Sequence, residues 1–135
     1  MSEKVVMFIC HQALGALEMA RERGLELQPS FAVVEVPCSG RVDEITILRA
    51  LRHGAAGVLV VGCLLGNCRF QTGNYEARRK VEEVKRMLEE IGVKGERVEM
   101  VNIAPIQYQL LLERAEGMAS LVRRLGPIRL TEGTG

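Results

Sequence analysis

Residues 57–63 read GVLVVGC, an apolar and β-branched run that ends on a cysteine. An uninterrupted apolar run of this length is typical of a strand buried on both faces, as in the middle of a parallel sheet. Two similar runs precede it, KVVMFIC at residues 4–10 and FAVVEVPC at residues 31–38, and both also end on a cysteine. The repeated pattern predicts three strands that each carry a thiol at the carboxyl end.

Apolar residues at helical spacing fill the gaps between these runs. They predict helices at residues 11–23, 43–53 and 106–125. A further helix is predicted by an apolar stripe under a charged outer face, formed by Ala77, Val81, Val84, Leu88 and Ile91. In the helix at residues 43–53, Ile45, Leu48 and Leu51 lie at helical spacing.

A fourth strand, at residues 97–104, completes the alternation of strands and helices. Strands that alternate with helices of about 10–15 residues imply right-handed βαβ units. The predicted fold class is therefore α/β, a flavodoxin-like three-layer sandwich with a parallel four-stranded sheet of order 2-1-3-4. We predict one domain over residues 1–125 and a loose C-terminal tail at residues 126–135.

Charge and hydropathy argue against several classes of partner. The 135 residues include 18 basic and 17 acidic side chains, which leaves a net charge of +1. Nucleic acids and anionic membranes select strongly basic surfaces, so neither is expected as a partner. The longest weakly polar run, residues 55–66, is shorter than the roughly 20 residues of a membrane helix. Because no signal peptide is recognisable at the N-terminus, a cytoplasmic location is expected.

Four cysteines, Cys10, Cys38, Cys63 and Cys68, are the strongest chemical signal in the sequence. In a reducing compartment, cysteines serve in metal ligation or redox chemistry more often than in structural disulfides. The first three end predicted strands, and the fourth follows shortly after the third strand. Because all strands of a parallel sheet end at one edge, where ligands bind, the sequence predicts that four thiols converge there. Four buried thiols without a shared function are the alternative.

Four thiolates suit either zinc or an iron–sulfur cluster. Only Cys63 and Cys68, which are separated by four residues, approach the paired spacing of a structural zinc site. The complete spacing fits neither a zinc ribbon nor a ferredoxin motif. The residues alone therefore predict a four-thiolate site and leave the metal open between iron–sulfur and zinc.

The residues around the cysteines suit an anionic centre. Helices that begin just after the cysteine loops direct their N-terminal dipoles at such a charge. Glycines permit backbone N–H groups to approach sulfur, and they occur here at Gly40, Gly66 and Gly73. Two arginines, Arg41 and Arg69, are expected to offset the negative charge, with an ordinary surface position as the alternative.

Three segments carry a resemblance to a known family: CSGRVD at residues 38–43, GC-x2-G-x-C at residues 62–68 and GNY-x-A-x-R at residues 73–79. In these segments and their order, residues 4–125 resemble the delta subunit of methyl-viologen-reducing hydrogenase. The resemblance implies an electron carrier with a [2Fe–2S] cluster. It also implies two partners: a hydrogenase or formate dehydrogenase, and the flavin-bearing subunit of heterodisulfide reductase or of a related complex.

The chain departs from the family pattern at two places. Where the family usually has C-x2-C after the first strand, this chain has CHQA at residues 10–13. Where relatives tend to carry His-Pro and then Gly-Asp-Cys-His, it has Leu64-Leu65 and then GNCR at residues 66–69. We expect these leucines to contact a partner or to cover the cluster from water. His11 is expected to cap the first helix, with ligation in place of the missing cysteine as the alternative.

Two functions of other classes stay open beside electron transfer. One is a zinc-bound or metal-free adaptor that docks the subunits of such a complex. The other is a small thiol-based redox enzyme that uses Cys63 and Cys68, although C-x4-C differs from the C-x-x-C dithiol motif. The sequence has no Ser-His-Asp set, paired acids, G-x-G-x-x-G or Walker loop, so we expect a non-catalytic subunit.

Overall fold

Four strands and four helices alternate along the chain in the computed structural model, which describes residues 4–64 and 73–128. The strands are β1 Val5–Cys10, β2 Phe31–Val36, β3 Gly57–Gly62 and β4 Val98–Asn102. The helices are α1 Leu14–Glu22, α2 Glu44–Arg52, α3 Gly73–Glu90 and α4 Tyr108–Leu125. Two short 3-10 turns, Ser39–Arg41 and Gly95–Arg97, precede α2 and β4.

The sheet is parallel throughout and has the order β2-β1-β3-β4. Val5 lies opposite Phe31 in β2 and Gly57 in β3, which places β1 and β3 in the middle. All six residues of β3 are buried, whereas β2 is an edge strand with three exposed residues. The predicted fold class and strand order are confirmed.

The two faces of the sheet contact two separate apolar cores. Alternate residues of β1 and β3 point to opposite faces, as the pleat of a strand requires. One core packs the sheet against α1 and α4, through Met7, Ile9, Leu59, Val61, Cys10 and Cys63. The opposite face packs with α2 and α3, through Phe8, Val58, Val60, Ile47 and Val84. These layers hold the carboxyl ends of the central strands in fixed positions.

The predicted buried face of α3 needs one correction. Ala77, Val81, Val84 and Leu88 are buried as expected, but Ile91 is 50% exposed. Helix α3 ends at Glu90, and Gly92 turns the chain with a φ of 85°, so Ile91 does not continue the stripe.

In α2, Ile45 is 66% exposed, so its helical spacing with Leu48 and Leu51 does not mark the buried face of the helix. It lies in the first turn of the helix, directly after Glu44. Ile47 is fully buried instead, and Leu51 lies one helical turn beyond it on the same face.

The described chain ends in contact with the rest of the fold. The buried guanidinium of Arg97 donates to the carbonyl oxygens of Ala56 at 2.9 Å and Gly126 at 2.8 Å. Burial also lowers the pKa of Arg97 from its ordinary value. Ile128 packs against the second core, and residues 129–135 lie outside the described chain, so the loose tail stays a prediction. None of the helices described is both long and apolar enough to cross a membrane.

Gly57 gives a direct test of the contact between β3 and α4. A Cβ atom at this position would come within 2.9 Å of both Met118 Sδ and Val122 Cγ1. We expect Gly57→Ala to destabilise the fold by about 1–3 kcal/mol, because the packed helix must shift. Gly117→Ala is the matched control, since nothing lies within 4 Å of the added methyl group and alanine favours the helix by about 0.5–1 kcal/mol. Urea unfolding of both variants measures the difference, and equal stability would contradict the described packing.

Candidate metal centre

Three cysteines lie at the carboxyl edge of the sheet. Cys10 is the last residue of β1, Cys63 follows the last residue of β3, and Cys38 lies two residues beyond β2. The register places Cys10 opposite Val36 in β2. All three cysteines are buried and none is in a disulfide. Cys68, the fourth predicted ligand, lies outside the described residues.

The sulfur of Cys10 accepts a hydrogen bond from the main chain. The N–H group of Ala13 donates to Cys10 Sγ over an N···S distance of 3.4 Å. Ala13 is fully buried and occupies the position at which the second cysteine of a C-x2-C motif would lie. The turn after β1 therefore supplies a main-chain donor to the Cys10 sulfur, whereas position 13 carries no second thiol.

The sulfur of Cys38 accepts a similar bond. The N–H group of Gly40 donates to Cys38 Sγ over 3.4 Å, and Cys38 is the residue that begins the 3-10 turn Ser39–Arg41. This turn lies beside β1 and β3, so it folds Cys38 toward the middle of the sheet. The Gly40 donor matches its expected role toward sulfur. Arg41 is exposed at the surface.

Helix α3 contributes polar side chains that sequence analysis did not identify. Lys80 Nζ donates to the carbonyl oxygen of Gly40 at 2.9 Å and contacts Asp43 Oδ1 at 3.1 Å. Arg78 donates to Asn102 Oδ1, and Asn102 Nδ2 donates to the carbonyl oxygen of Cys63 at 2.9 Å. No sequence signal marked Lys80 or Arg78, because both lie among many charges on one helix.

The arginine in the third family-like segment, Arg79, has a different environment. It pairs with Glu76 at 3.2 Å and with Glu83 at 3.6 Å, and its side chain is largely exposed. These are i,i+3 and i,i+4 pairs along the outer surface of α3, and such exposed pairs contribute little to stability.

His11 does not cap α1, so that prediction was wrong. The helix begins at Leu14, and no side chain caps its N-terminus. The N–H group of Leu14 donates instead to the main-chain carbonyl of His11 at 3.3 Å. The His11 ring points to β2, where Nδ1 lies 2.7 Å from Glu35 Oε2 in an exposed pair.

Three helices begin close to the cysteine segments. Helix α1 starts four residues after Cys10, α2 starts after the Cys38 turn, and α3 starts at Gly73. The pKa of Glu44, in the first turn of α2, is lowered first by a hydrogen bond from its own backbone, then by a hydrogen bond with the side chain of Glu83 and by the charges of Lys80 and Arg79. The edge therefore presents the positive ends of helix dipoles, as expected for a site that holds negative charge.

Leu64 is the last residue described before α3. It is partly buried and lines a surface cavity of about 610 Å³, together with Arg78, Asn102 and Leu110. The chemistry predicted for Leu65, Gly66, Cys68 and Arg69 falls outside the described residues. Their roles stay predictions.

The three described cysteines have the chemistry of metal-binding thiolates, but by themselves they do not form a complete metal site. Within residues 4–64 and 73–128, no three His, Cys, Asp or Glu side chains form a group that could hold a metal ion. Three buried thiols at one edge, two of them with N–H donors to sulfur, are nevertheless the donors that iron–sulfur clusters and zinc both use.

Comparison with known proteins agrees with the resemblance in the motifs. The family model of the methyl-viologen-reducing hydrogenase delta subunit matches residues 5–126. The vhu iron-sulfur subunit of the F420-non-reducing hydrogenase of Methanococcus maripaludis is 36% identical over 129 residues, which are 94% of this chain and 96% of that protein. The iron-sulfur subunit of the F420-non-reducing hydrogenase of Archaeoglobus profundus is 38% identical over 114 residues, which are 84% of this chain and 83% of that protein.

A more distant relative is a larger protein, which belongs to the ferredoxin:CoB-CoM heterodisulfide reductase of Methanosarcina mazei. It is 26% identical over 125 residues, which are 92% of this chain but 16% of that protein. A unit similar to this chain is therefore part of a longer polypeptide there. The match over residues 5–126 and the identity to relatives of similar length show that the chain belongs to the methyl-viologen-reducing hydrogenase delta subunit family.

Proposed function

We propose that this protein is an electron-transfer subunit that holds a [2Fe–2S] cluster on Cys10, Cys38, Cys63 and Cys68. The observation that carries the proposal is the position of three buried thiols at the carboxyl edge of one parallel sheet. Two relatives are named iron-sulfur subunits, which supports an iron–sulfur cofactor in this chain as well. A bound cluster of this kind accepts and releases one electron.

The chain's own groups suit that cofactor. Two ferric ions, two sulfides and four thiolates leave a net negative charge, which becomes larger on reduction. The N–H donors of Ala13 and Gly40 reduce the charge density on two sulfurs. The apolar core that includes Cys10 and Cys63 keeps water from that side of the site.

The proposed electron path joins a hydrogenase or formate dehydrogenase to the flavin-bearing subunit of a heterodisulfide reductase-type complex. The relatives named as hydrogenase subunits support the first partner. Support for the second comes from the heterodisulfide reductase protein that contains a similar unit within its own chain. When a unit like this chain and a heterodisulfide reductase protein are joined in one polypeptide, separate proteins that correspond to the two parts are expected to contact each other.

Anaerobic purification with metal and sulfide analysis tests the cofactor. We expect about two iron and two sulfide per chain and an EPR signal that appears on one-electron reduction. Stoichiometric zinc without sulfide would instead identify a docking adaptor. A metal-free protein with a reversible Cys63–Cys68 disulfide would identify a thiol redox enzyme. Either result would overturn the proposal.

Leu64 and Leu65 give a test of the partner contact. We expect replacement of both by Ser to weaken co-purification with the flavin or hydrogenase subunit, because two apolar contacts to the partner are lost. Iron content serves as the control, since a loss of iron would indicate that the leucines cover the cluster. Unchanged co-purification with unchanged iron would remove these residues from both roles.

A further inference from the structure

Lys80 holds the segment that carries Cys38. Its side chain is only 14% exposed, and its ammonium group bonds the carbonyl oxygen of Gly40 at 2.9 Å. The N–H group of the same glycine donates to Cys38 Sγ. One residue therefore separates a largely buried cation from a predicted ligand sulfur. Asp43, the other partner of Lys80, is 61% exposed, so solvent screens its charge more strongly.

The same helix also reaches the segment that carries Cys63. Arg78 lies two residues before Lys80 and donates to Asn102, whose amide donates to the carbonyl oxygen of Cys63. Residues two apart in a helix point about 200° from each other, so these side chains leave opposite flanks of α3. Helix α3 thus connects two cysteine segments that belong to different strands.

We propose that Lys80 is a positioning residue of the thiolate site, which fixes Cys38 relative to Cys63 and places a positive charge that favours the reduced centre. Arg78 performs the equivalent positioning on the Cys63 side. The charge effect rests on the proposed function, because it requires an electron carrier at the cysteines. The positioning effect requires only the folded chain.

The same helix offers a matched control. Lys85 is 21% exposed and, like Lys80, bonds both main chain and a carboxylate. Its partners are the carbonyl oxygens of Gly95 at 3.3 Å and Val98 at 3.1 Å and the carboxylate of Glu99 at 2.7 Å. These partners lie at the opposite edge of the sheet, before and at the start of β4. A purely structural role for Lys80 predicts that Lys80→Met and Lys85→Met have similar consequences.

The first measurement uses the metal-free full chain. N-ethylmaleimide labelling followed by peptide mass spectrometry gives the reaction rate of each cysteine. We expect Lys80→Met to increase the labelling rate of Cys38 several-fold, because its segment is released, while Cys10 keeps its rate. Lys80→Arg should restore slow labelling, and Lys85→Met should leave it unchanged. An unchanged Cys38 rate in Lys80→Met, or the same increase in Lys85→Met, would overturn the positioning role.

The second measurement is an EPR-monitored redox titration of the loaded protein. Reduction adds one negative charge, so removal of the Lys80 cation should disfavour it by about tenfold, which is about 59 mV for a one-electron centre. Lys80→Arg and Lys85→Met should stay close to the wild type. A Lys80→Met potential that is unchanged or higher would overturn the charge effect. Wild-type protein without a cluster would overturn the proposed function instead, and the labelling result would still decide the positioning.

Discussion

If the proposed cluster is bound as described above, Cys63→Ser is expected to abolish it. Cys63 follows β3, the fully buried central strand, so no neighbouring group can move into its place without disturbing the sheet. A serine hydroxyl is a much weaker ligand for iron than a thiolate, and one of four bonds to the cluster would be lost. We expect most of the iron to be absent after anaerobic purification, with loss of the visible absorption and of the EPR signal.

Thermal unfolding of the metal-free proteins provides the control for this prediction. Ser for Cys removes a small apolar group, and the metal-free variant should unfold cooperatively within a few degrees of the wild type. Corresponding Ser variants of Cys10, Cys38 and Cys68 should behave alike. A variant that keeps full iron and an unaltered spectrum would show that its cysteine is not a ligand.

Ile47→Ala is expected to destabilise the protein by about 2–5 kcal/mol. Ile47 is fully buried and belongs to the core between the sheet, α2 and α3. Truncation to alanine removes most of the side chain from a packed interior and leaves a cavity that the surrounding strands cannot fill. Equilibrium unfolding in urea, with an unchanged slope of free energy against denaturant, measures the loss.

Ile45→Ala in the same helix is the matched control. The side chain of Ile45 is 66% exposed, so its removal should change the free energy of unfolding by no more than about 0.5 kcal/mol. Comparable losses in both variants would contradict the described orientation of α2.

The contrast between Ile45 and Ile47 shows which part of the fold can be predicted from the sequence. Long, uninterrupted apolar runs identified β1 and β3, since only a strand covered on both faces needs them. In α2, which has nine residues, the spacing of the apolar residues is compatible with more than one choice of buried helix face. The choice between Ile45 and Ile47 is made by how α2 packs on the sheet and α3, where Ile47 joins the core and Ile45 does not.

The candidate site was predictable to the same extent. The strand ends of Cys10, Cys38 and Cys63 follow from topology alone, because parallel strands finish at one edge. The contact of Lys80 with Gly40 could not be predicted in this way, since the two residues are 40 positions apart in the sequence. His11 was assigned to a local cap, whereas its partner comes from the neighbouring strand. Long-range polar pairing of this kind is set by the packed fold and leaves no periodic trace in the sequence.

The contact between Arg97 and Gly126 bears on how this unit can be joined to other polypeptides. Strand β1 begins, and helix α4 ends, at the edge of the sheet opposite the cysteines. A covalent tether at either of these ends would therefore emerge on the far side from the sulfur atoms. The inclusion of a similar unit as 16% of a Methanosarcina mazei protein is compatible with this geometry. A fusion at either end can therefore join this unit to another polypeptide and leave uncovered the edge of the sheet that holds Cys10, Cys38 and Cys63.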